Sequence, residues 1–447
     1  MHPKLTVSGY RGIWGDTLTE DIALEYVRAF ALLVLARGHA TGKKTLLVGR
    51  DGRESGPLLA KAVITELVAA GFSVTDLGMM PTPTVLFLVR SEQADGAIII
   101  TASHNPIEYN GLKFATETGG FLNGSEVSEI ENLRGAPLRG RAGGASAQGS
   151  GYFKKHLDAI LQATDISAIR AREFDVALDP INSVGCTTTP QLLDALGAAH
   201  AGINTEATGQ FAHAPEPVPK NLAGLQALVQ ETKADVGFAQ DPDGDRLVVC
   251  DETGTLPSEE VMLALSVLSI MHKTPGDIVI NLSTSNMSED IAASFGHKTF
   301  RSKVGEANVL AGMREHAAVA GGEGSGGIIY PKMNAARDSF AGIALILELM
   351  AREKLPLSRI IASLPRYFMT KKNISFDGDL AALFASLTRS FSDAKTTTLD
   401  GLRLDFPNRS WIHVRPSNTE PIIRIIIEAG AQMEALGLMS MMEMLLH

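Results

Sequence analysis

The positions of hydrophobic residues along the first quarter of the chain repeat with two different periods. Three runs have the spacing of amphipathic helices, and three short apolar runs have the character of buried strands. The helical runs are residues 20–38, 56–72 and 83–90, and the strand runs are residues 44–51, 73–78 and 96–101. Helices and strands that alternate in this way are typical of an α/β domain with a mainly parallel sheet.

The same alternation returns twice more before the pattern changes. Residues 134–151 are rich in Gly, Ala and Ser, which predicts a linker after the first domain. Helix-like and strand-like runs then fill two further segments, which end near Cys250 and Leu364. From about Arg366 onward, closely spaced strand-like runs predict an α+β domain with antiparallel pairing. The predicted domains are residues 1–148, 149–251, 252–365 and 366–447.

The last predicted helix, within residues 434–446, is rich in methionine. Methionine is an unbranched, adaptable side chain that fills irregular gaps in a hydrophobic core. We therefore expect this helix to place its methionines in the core of the fourth domain.

The composition excludes several classes of protein. The chain has 447 residues, of which 45% are hydrophobic and 20% are charged, so it should form several globular domains. Its net charge of -10 argues against nucleic acid or an anionic membrane as a partner, and no apolar run approaches the ~18 residues of a membrane span. Cys186 and Cys250 lie far apart, without metal-binding spacing. We expect a cytoplasmic protein without disulfide bonds, nucleic-acid partner or membrane partner.

The first stretch that carries chemistry is TASHNP, residues 101–106, which directly follows the apolar strand at 96–101. In α/β sheets, ligands bind beyond the carboxyl ends of the strands, and Ser103 lies at such an end. A serine becomes a useful nucleophile or group carrier when a base and a cation lie nearby. His104, Lys113 and the distant Arg11 are the candidates for these roles.

The second stretch is DPDGDR, residues 241–246, at the end of another strand-like run. Asp241, Asp243 and Asp245 would repel one another without a cation, and carboxylate oxygens are the ligands that Mg²⁺ prefers. An ordinary Asp-Gly turn is the simpler alternative. A calcium-binding EF-hand loop fails, because Arg246 stands where such a loop requires glycine.

Two further stretches predict binding of a phosphorylated, hydroxyl-rich ligand. In GGEGSGG, residues 321–327, glycines allow close approach of the backbone, and Glu323 and Ser325 can bind hydroxyls. The stretch RPSNTEPIIR, residues 415–424, offers guanidinium, hydroxyl and backbone donors for a phosphate. Its candidate residues are Arg415, Ser417, Asn418, Thr419 and Arg424. Flexible or surface turns are the alternatives for both.

The four stretches together resemble the α-D-phosphohexomutase superfamily in their order and spacing, over essentially the whole chain. That superfamily includes phosphoglucomutase, phosphomannomutase and phosphoglucosamine mutase. The resemblance implies three similar α/β domains, each with a mixed sheet between helices. It also implies a C-terminal α+β domain with a fold like that of the TATA-box-binding protein, and one central cleft between the four domains.

The resemblance also implies a mechanism. Ser103 would carry a phosphoryl group, donate it to a hexose 1- or 6-phosphate, and recover the other phosphoryl group after the hexose 1,6-bisphosphate turns around. Mg²⁺ would bind the phosphoserine together with Asp241, Asp243 and Asp245. The residues expected to contribute to catalysis are Ser103, Lys113, Arg11, His104 and Arg246. For acid–base work we rank Lys113 and Arg11 above His104, and we expect the environment of Lys113 to lower its pKa.

Substrate recognition follows from the same resemblance. Glu323 and Ser325 would hold sugar hydroxyls, residues 415–424 the distal phosphate, and Lys303 and Gly305 would line the cleft. Gly326 and Gly327 stand where many relatives carry histidine, a form that resembles the archaeal-type branch of the superfamily. We expect an amino-sugar phosphate as substrate, with the neutral mannose and glucose phosphates as the alternative.

Two functions of other kinds remain open at this point. A phosphosugar-binding protein without turnover would use only residues 415–424, and a phosphatase would let water intercept the phosphoserine. For the mutase we expect a small-molecule phosphosugar as partner, hexose 1,6-bisphosphate as activator, and a monomeric or homodimeric state.

Overall fold

The computed structural model describes residues 3–37, 44–140, 142–416 and 422–446. They form three α/β units and one antiparallel unit, which confirms the predicted fold class. We propose that the domain boundaries are those predicted from the sequence.

The first unit contains a six-stranded mixed sheet in the order β1-β5-β4-β2-β3-β6, with parallel pairing from β4 to β6 and antiparallel pairing at β1 and β5. Its elements are β1 Tyr10–Ile13, α1 Glu20–Ala36, β2 Thr45–Arg50, α2 Gly56–Ala69, β3 Ser73–Met79, α3 Thr82–Ser91, β4 Gly96–Ile100, β5 Tyr109–Thr116, α4 Gly124–Leu133 and β6 Ala145–Gln148. The predicted linker at 134–151 was therefore partly wrong. Small residues there allow β6 to pair with the edge of β3, and a strand of four exposed residues leaves almost no hydrophobic pattern.

The second and third units each contain a four-stranded sheet, in the orders β10-β9-β7-β8 and β12-β11-β13-β14. The second comprises α5 Tyr152–Gln162, α6 Ile166–Arg170, β7 Asp175–Asp179, α7 Gly185–Leu196, β8 Ala199–Gly202, a 3₁₀ turn Pro219–Asn221, α8 Ala223–Thr232, β9 Val236–Gln240 and β10 Leu247–Asp251. The third comprises α9 Glu260–Lys273, β11 Ile278–Asn281, α10 Asn286–Ser294, β12 Thr299–Ser302, α11 Glu306–Glu315, β13 Ala320–Glu323, β14 Gly327–Ile329, α12 Ser339–Glu353 and α13 Leu357–Ser363.

The three α/β units share one feature that places the predicted site. In each, the last buried parallel strand turns back into an antiparallel neighbour: β4 into β5, β9 into β10, and β13 into β14. The connecting turns hold Ser103, the three aspartates and the Glu323 stretch respectively. The three motifs therefore occupy the same position in three similar units, at the carboxyl end of a strand.

The fourth unit is an antiparallel sheet in the order β15-β19-β18-β17-β16, covered by two helices. It comprises β15 Phe368–Ser375, α14 Leu380–Ser390, β16 Lys395–Thr397, β17 Leu402–Asp405, β18 Trp411–Pro416, β19 Ile422–Ala429 and α15 Gln432–Leu446. The expectation for the methionine-rich helix α15 was partly wrong. Met439 and Met442 are buried, but Met433, Met441 and Met444 are exposed, because the helix packs one face only and its other face is equally apolar.

Packing of the cores differs between the units. One continuous cluster of buried apolar side chains runs through the second and third units, centred on α9 and α12, whereas the fourth unit has its own cluster. Cys186 and Cys250 are buried and free, as expected. Within the described residues, no helix has both the length and the hydropathy needed to cross a bilayer.

Candidate active site

The turn that carries Ser103 is held in an unusual backbone conformation. Ser103 has a φ of 50°, a left-handed value that residues other than glycine seldom adopt. Its backbone N–H donates to Oγ1 of Thr101 at 2.8 Å, and that hydroxyl donates to Oδ2 of Asp51 at 2.6 Å. A strained serine held by buried partners at a strand end is typical of a functional position.

Arg53 holds the same turn through hydrogen bonds to its backbone carbonyls. Its guanidinium is fully buried and donates to the backbone carbonyls of Ser103, Asn105, Pro106 and Tyr109 at 2.6 to 2.9 Å. Since one rigid, planar group binds four carbonyls, the whole turn is held in a single conformation.

The three aspartates of the second motif are buried directly beside this serine. The Oγ of Ser103 donates to Oδ2 of Asp241 at 2.9 Å. One carboxylate oxygen from each of Asp241, Asp243 and Asp245 lies within 4.8 Å of the other two. The turn is sharp because Gly244 adopts a φ of 71°, which glycine does at little cost.

The donors that surround these carboxylates leave two of the carboxylate oxygens without a hydrogen bond. Lys113 donates to Oδ2 of Asp243 at 2.6 Å, as does the hydroxyl of Thr82 at 2.6 Å. The Oδ1 atoms of Asp243 and Asp245 are buried without a hydrogen-bond partner. Burial and the two neighbouring carboxylates raise the pKa of Asp241. Buried oxygens without partners are costly, so this donor set fits a divalent metal ion such as Mg²⁺.

Lys113 lies where the sequence predicted, but the expected direction of its pKa was wrong. Burial by itself lowers the pKa of Lys113, and the negative charges of Asp243 and Asp245 outweigh that effect, so the net pKa is raised. The sequence could not show that two carboxylates more than a hundred residues away would lie at 2.6 and 3.4 Å from the ammonium group.

Arg11 and His104 also lie at the serine. Arg11 donates to Oδ1 of Asn105 at 3.0 Å, and Nδ1 of His104 lies 3.4 Å from the Oγ of Ser103. Burial, together with the charges of Arg246 and Arg11, lowers the pKa of His104 to about 2. His104 is therefore neutral in this site at any ordinary pH.

The third motif brings Glu323 to the same region. Both of its carboxylate oxygens are held: Oε1 by Asn281 and by the backbone N–H of Gly305, each at 2.8 Å, and Oε2 by Arg337 at 3.2 Å. Gly305 has a φ of 115°, which explains the glycine at this position. Ser325 is partly exposed in the following turn.

Lys303 and Arg246 present charge around the same region. Lys303 is exposed just before Gly305. The Nε of Arg246 is buried without a hydrogen-bond partner and lies 4.0 Å from Oδ1 of Asp245.

The fourth motif places two arginines opposite each other on neighbouring strands. Arg415 on β18 pairs in register with Arg424 on β19, and the Nε atoms of both are buried without partners. Burial and the charge of Arg424 lower the pKa of Arg415, although Asp400 and Glu323 act against them. Like charges directly across a sheet are unfavourable without an anion between them. The remaining predicted residues of this motif, Ser417, Asn418 and Thr419, lie outside the described residues.

The sequence did not indicate several residues that shape this site. They are Asp51 and Arg53 beneath the serine, Glu260 against the third motif, and Glu306 and Arg337 between the second and third motifs. Each stands outside the four motif stretches, in runs that read as ordinary turns or helix starts. The pairing of a buried carboxylate with a buried guanidinium identifies Asp51 with Arg53 and Glu306 with Arg337, and burial against the Ser285 N–H identifies Glu260. These contacts are properties of the fold.

Comparison with known proteins identifies the family of the chain. Four family profiles described as phosphoglucomutase/phosphomannomutase match the chain: alpha/beta/alpha domain I at residues 3–135, domain II at 154–254, domain III at 258–368, and the C-terminal domain at 379–443. The chain therefore belongs to the phosphoglucomutase/phosphomannomutase family, and it is an enzyme of the phosphohexomutase class.

Individual relatives cover nearly the whole chain. The phosphoglucomutase/phosphomannomutase of Thermococcus kodakarensis is 35% identical over 96% of this chain and 94% of its own length. A protein of Methanopyrus kandleri named probable phosphoglucosamine mutase is 33% identical, with coverage of 96% and 94%. The crystal structure of a phosphoglucomutase/phosphomannomutase family protein from Burkholderia thailandensis has 28% identity and a TM-score of 0.87, with coverage of 98% and 96%.

Proposed function

We propose that this enzyme interconverts hexose 1-phosphate and hexose 6-phosphate through a phosphoryl group carried on Ser103, and that an amino-sugar phosphate, glucosamine phosphate, is its preferred substrate. The observation that supports this proposal is the contact between Ser103 and Asp241, beside two buried carboxylate oxygens without partners. A cation bound there would neutralise the charge of the transferring phosphoryl group.

Residues around Ser103 would assist each step of the phosphoryl transfer. In the forward step the bond between phosphorus and the Ser103 oxygen breaks and a bond to a sugar oxygen forms. The proton of the sugar hydroxyl passes to Arg11, the one of the two acid–base candidates ranked first whose pKa burial lowers, and Lys113 and Arg246 hold the negative charge of the phosphoryl group. Transfer in the reverse sense, from the other end of the bound hexose 1,6-bisphosphate, restores the phosphoserine.

Binding of the substrate is assigned to the third and fourth motifs. Glu323 would accept hydrogen bonds from sugar hydroxyls, and Ser325 would accept or donate them. Lys303 and Gly305 would line the same part of the sugar-binding site. Residues 415–424 would bind the phosphate that does not react, because the Nε atoms of the paired Arg415 and Arg424 are buried without a hydrogen-bond partner among the described residues.

The neutral hexoses are the second candidate substrates. The Thermococcus kodakarensis relative named phosphoglucomutase/phosphomannomutase supports them, and the Methanopyrus kandleri relative supports the amino sugar. We further propose that Mg²⁺ is the cofactor, that hexose 1,6-bisphosphate activates the enzyme, and that it works in the cytoplasm as a monomer or homodimer.

The test is ³¹P NMR of the purified protein with Mg²⁺, a trace of hexose 1,6-bisphosphate, and in parallel the 1-phosphates of glucosamine, mannose and glucose. We expect glucosamine phosphate to isomerise fastest, Ser103→Ala to abolish turnover, and the exposed Ser128→Ala to behave as wild type. Faster isomerisation of a neutral hexose would overturn the substrate, release of inorganic phosphate faster than isomerisation would indicate a phosphatase, and full activity of Ser103→Ala would exclude the phosphoserine.

A further inference from the structure

Arg337 lies on the segment between β14 and α12, outside the four motifs, and it contacts three carboxylates from three separate segments. It donates to Oδ2 of Asp245 at 2.6 Å, to Oε2 of Glu306 at 3.2 Å and to Oε2 of Glu323 at 3.2 Å. The backbone N–H of the same residue donates to Oε1 of Glu306 at 3.0 Å. One guanidinium therefore joins the turn of the aspartates to the turn of Glu323.

The glycine at position 327 makes room for this side chain. A Cβ added to Gly327 would lie 2.4 Å from Cδ and 2.9 Å from Cγ of Arg337. The φ of Gly327 is not in the left-handed region, so its backbone would accept any residue. Glycine is required at this position for space, because the Arg337 side chain passes over it.

The two oxygens of Asp245 differ in their contacts. Oδ2 accepts from Arg337 at 2.6 Å and from Lys113 at 3.4 Å, whereas Oδ1 is buried without a hydrogen-bond partner. A bond to a rigid guanidinium holds the plane of the carboxylate, so that Oδ1 is offered to a cation in one orientation.

Without the guanidinium, this region would hold several buried carboxylates close together. Glu306 and Glu323 are 7% exposed and Asp245 is 1% exposed, and Arg337 is the cation that the three have in common. Removal of the cation from such a buried cluster leaves mutual repulsion and uncompensated charge. Both turns would then shift, although neither has lost a motif residue.

We propose that Arg337 is a positioning residue for the reaction, which couples the turn of the metal-binding aspartates to the sugar-binding turn by holding Asp245 and Glu323 at once. This inference rests on the proposed function, because it gives Asp245 and Glu323 their roles. It assigns to Arg337 no contact with the reacting atoms.

The test compares Arg337→Ala, Arg337→Lys, Gly327→Ala and the double variant Gly327→Ala/Arg337→Ala with wild type. Lys273→Ala is the matched control: Lys273 is a partly buried cation that donates to Glu348 and to the carbonyl of Ala163. It ends helix α9, whose first residue lies against the sugar-binding turn, and the 14 residues of that helix place Lys273 about 20 Å away.

The readouts are KM and kcat, the melting temperature, and the Kd of a hexose 6-phosphate by calorimetry with and without Mg²⁺. Hydrogen bonds to charged groups contribute about 1.5–3 kcal/mol, so we expect Arg337→Ala to raise KM and Kd at least ~10-fold and to lower kcat as well. Arg337→Lys should recover part of both losses. Lys273→Ala should lower the melting temperature and leave KM, kcat and Kd unchanged.

The double variant tests the contact itself. Gly327→Ala should reproduce the kinetic losses of Arg337→Ala, because its methyl group displaces the Arg337 side chain. In the double variant, Gly327→Ala should change KM and kcat little beyond the effect of Arg337→Ala alone. Equal losses from Gly327→Ala in both backgrounds would overturn the packing argument. Loss of stability in Arg337→Ala with unchanged KM, kcat and Kd would overturn the positioning role.

Failure of the proposed function is distinguishable from failure of this inference. If wild type isomerises no sugar phosphate but Arg337→Ala still weakens its binding at least ~10-fold, the coupling stands and the mutase assignment fails. If wild type isomerises the sugar and Arg337→Ala matches it in every readout except melting temperature, the assignment stands and the coupling fails.

Discussion

Glu260 allows a prediction of how stability depends on pH that does not involve Asp241, Asp243 or Asp245. This carboxyl group is 3% exposed at the start of α9, where it accepts a hydrogen bond from the backbone N–H of Ser285 at 2.9 Å and lies 3.9 Å from Nζ of Lys371. Burial raises the pKa of Glu260 from 4.5 to about 7. Lys371 and the Ser285 N–H act in the opposite direction, and Glu259 and Glu428 add to the rise.

The sign and the size of the effect follow from these two pKa values. A carboxyl group whose pKa is raised by folding favours the unfolded state once the pH exceeds the unfolded pKa, and the cost grows until the pH passes the folded pKa. A pKa difference of one unit corresponds to about 1.4 kcal/mol, so the raised pKa of Glu260 lowers the free energy of unfolding by about 1 kcal/mol at pH 5 and by about 3 kcal/mol at pH 8.

The variant Glu260→Gln removes this cost and keeps an oxygen that can accept from Ser285. We expect it to stabilise the protein by about 2 kcal/mol more at pH 8 than at pH 5, measured by urea unfolding of both proteins at each pH. The exposed Glu129→Gln is the control and should change stability equally little at both pH values. If Glu260→Gln gains no more at pH 8 than at pH 5, the buried carboxyl does not carry the cost described here.

Three other predictions concern neighbouring residues. Gly324→Ala would place a Cβ 1.9 Å from Oε1 of Glu260, so it should lower the free energy of unfolding by about 1–3 kcal/mol and raise KM. Adding Glu260→Ala to the same chain should restore both the free energy of unfolding and KM. Arg53→Met leaves Asp51 buried without its cation and should lower the free energy of unfolding by about 3–5 kcal/mol, with turnover lost in the same preparation. Mg²⁺ at 100 times its Kd should stabilise the protein by about 2.7 kcal/mol in thermal melts, and Asp243→Asn should remove most of that gain; undiminished turnover in excess chelator would contradict the metal site.

Much of the fold was predictable because hydrophobic periodicity records which face of each element is buried. The runs at 96–101 and 20–38 correspond to β4 and α1 within two residues, and the motif ends of β4 and β9 were placed correctly. The strand β6 and the exposed apolar face of α15 were not predicted. An edge strand of small residues has no hydrophobic periodicity, and a helix that is apolar on all sides does not show which of its faces is buried.

The chemistry of the site divides in the same way. Ser103 and the aspartates could be proposed because consecutive residues in one turn necessarily share a location. The pKa of Lys113 could not be predicted, since it depends on Asp243 and Asp245 from another domain. Arg337 was missed for the same reason: its three partners come from segments that only the folded chain brings together.

The three equivalent hairpins also bear on which changes of chain length the enzyme can tolerate. A residue inserted into or deleted from β4 or β9 would reverse the face on which every later side chain of that strand lies, and would carry the following turn away from the candidate active site. The turn of Ser103 and the turn of the aspartates are also fixed in length, because Arg53 holds the first and buried contacts hold the second. Of the three turns, only the one after β13 contains the proposed sugar-binding residues, so changes of length that alter substrate choice are expected there, while the lengths of β4 and β9 stay constant.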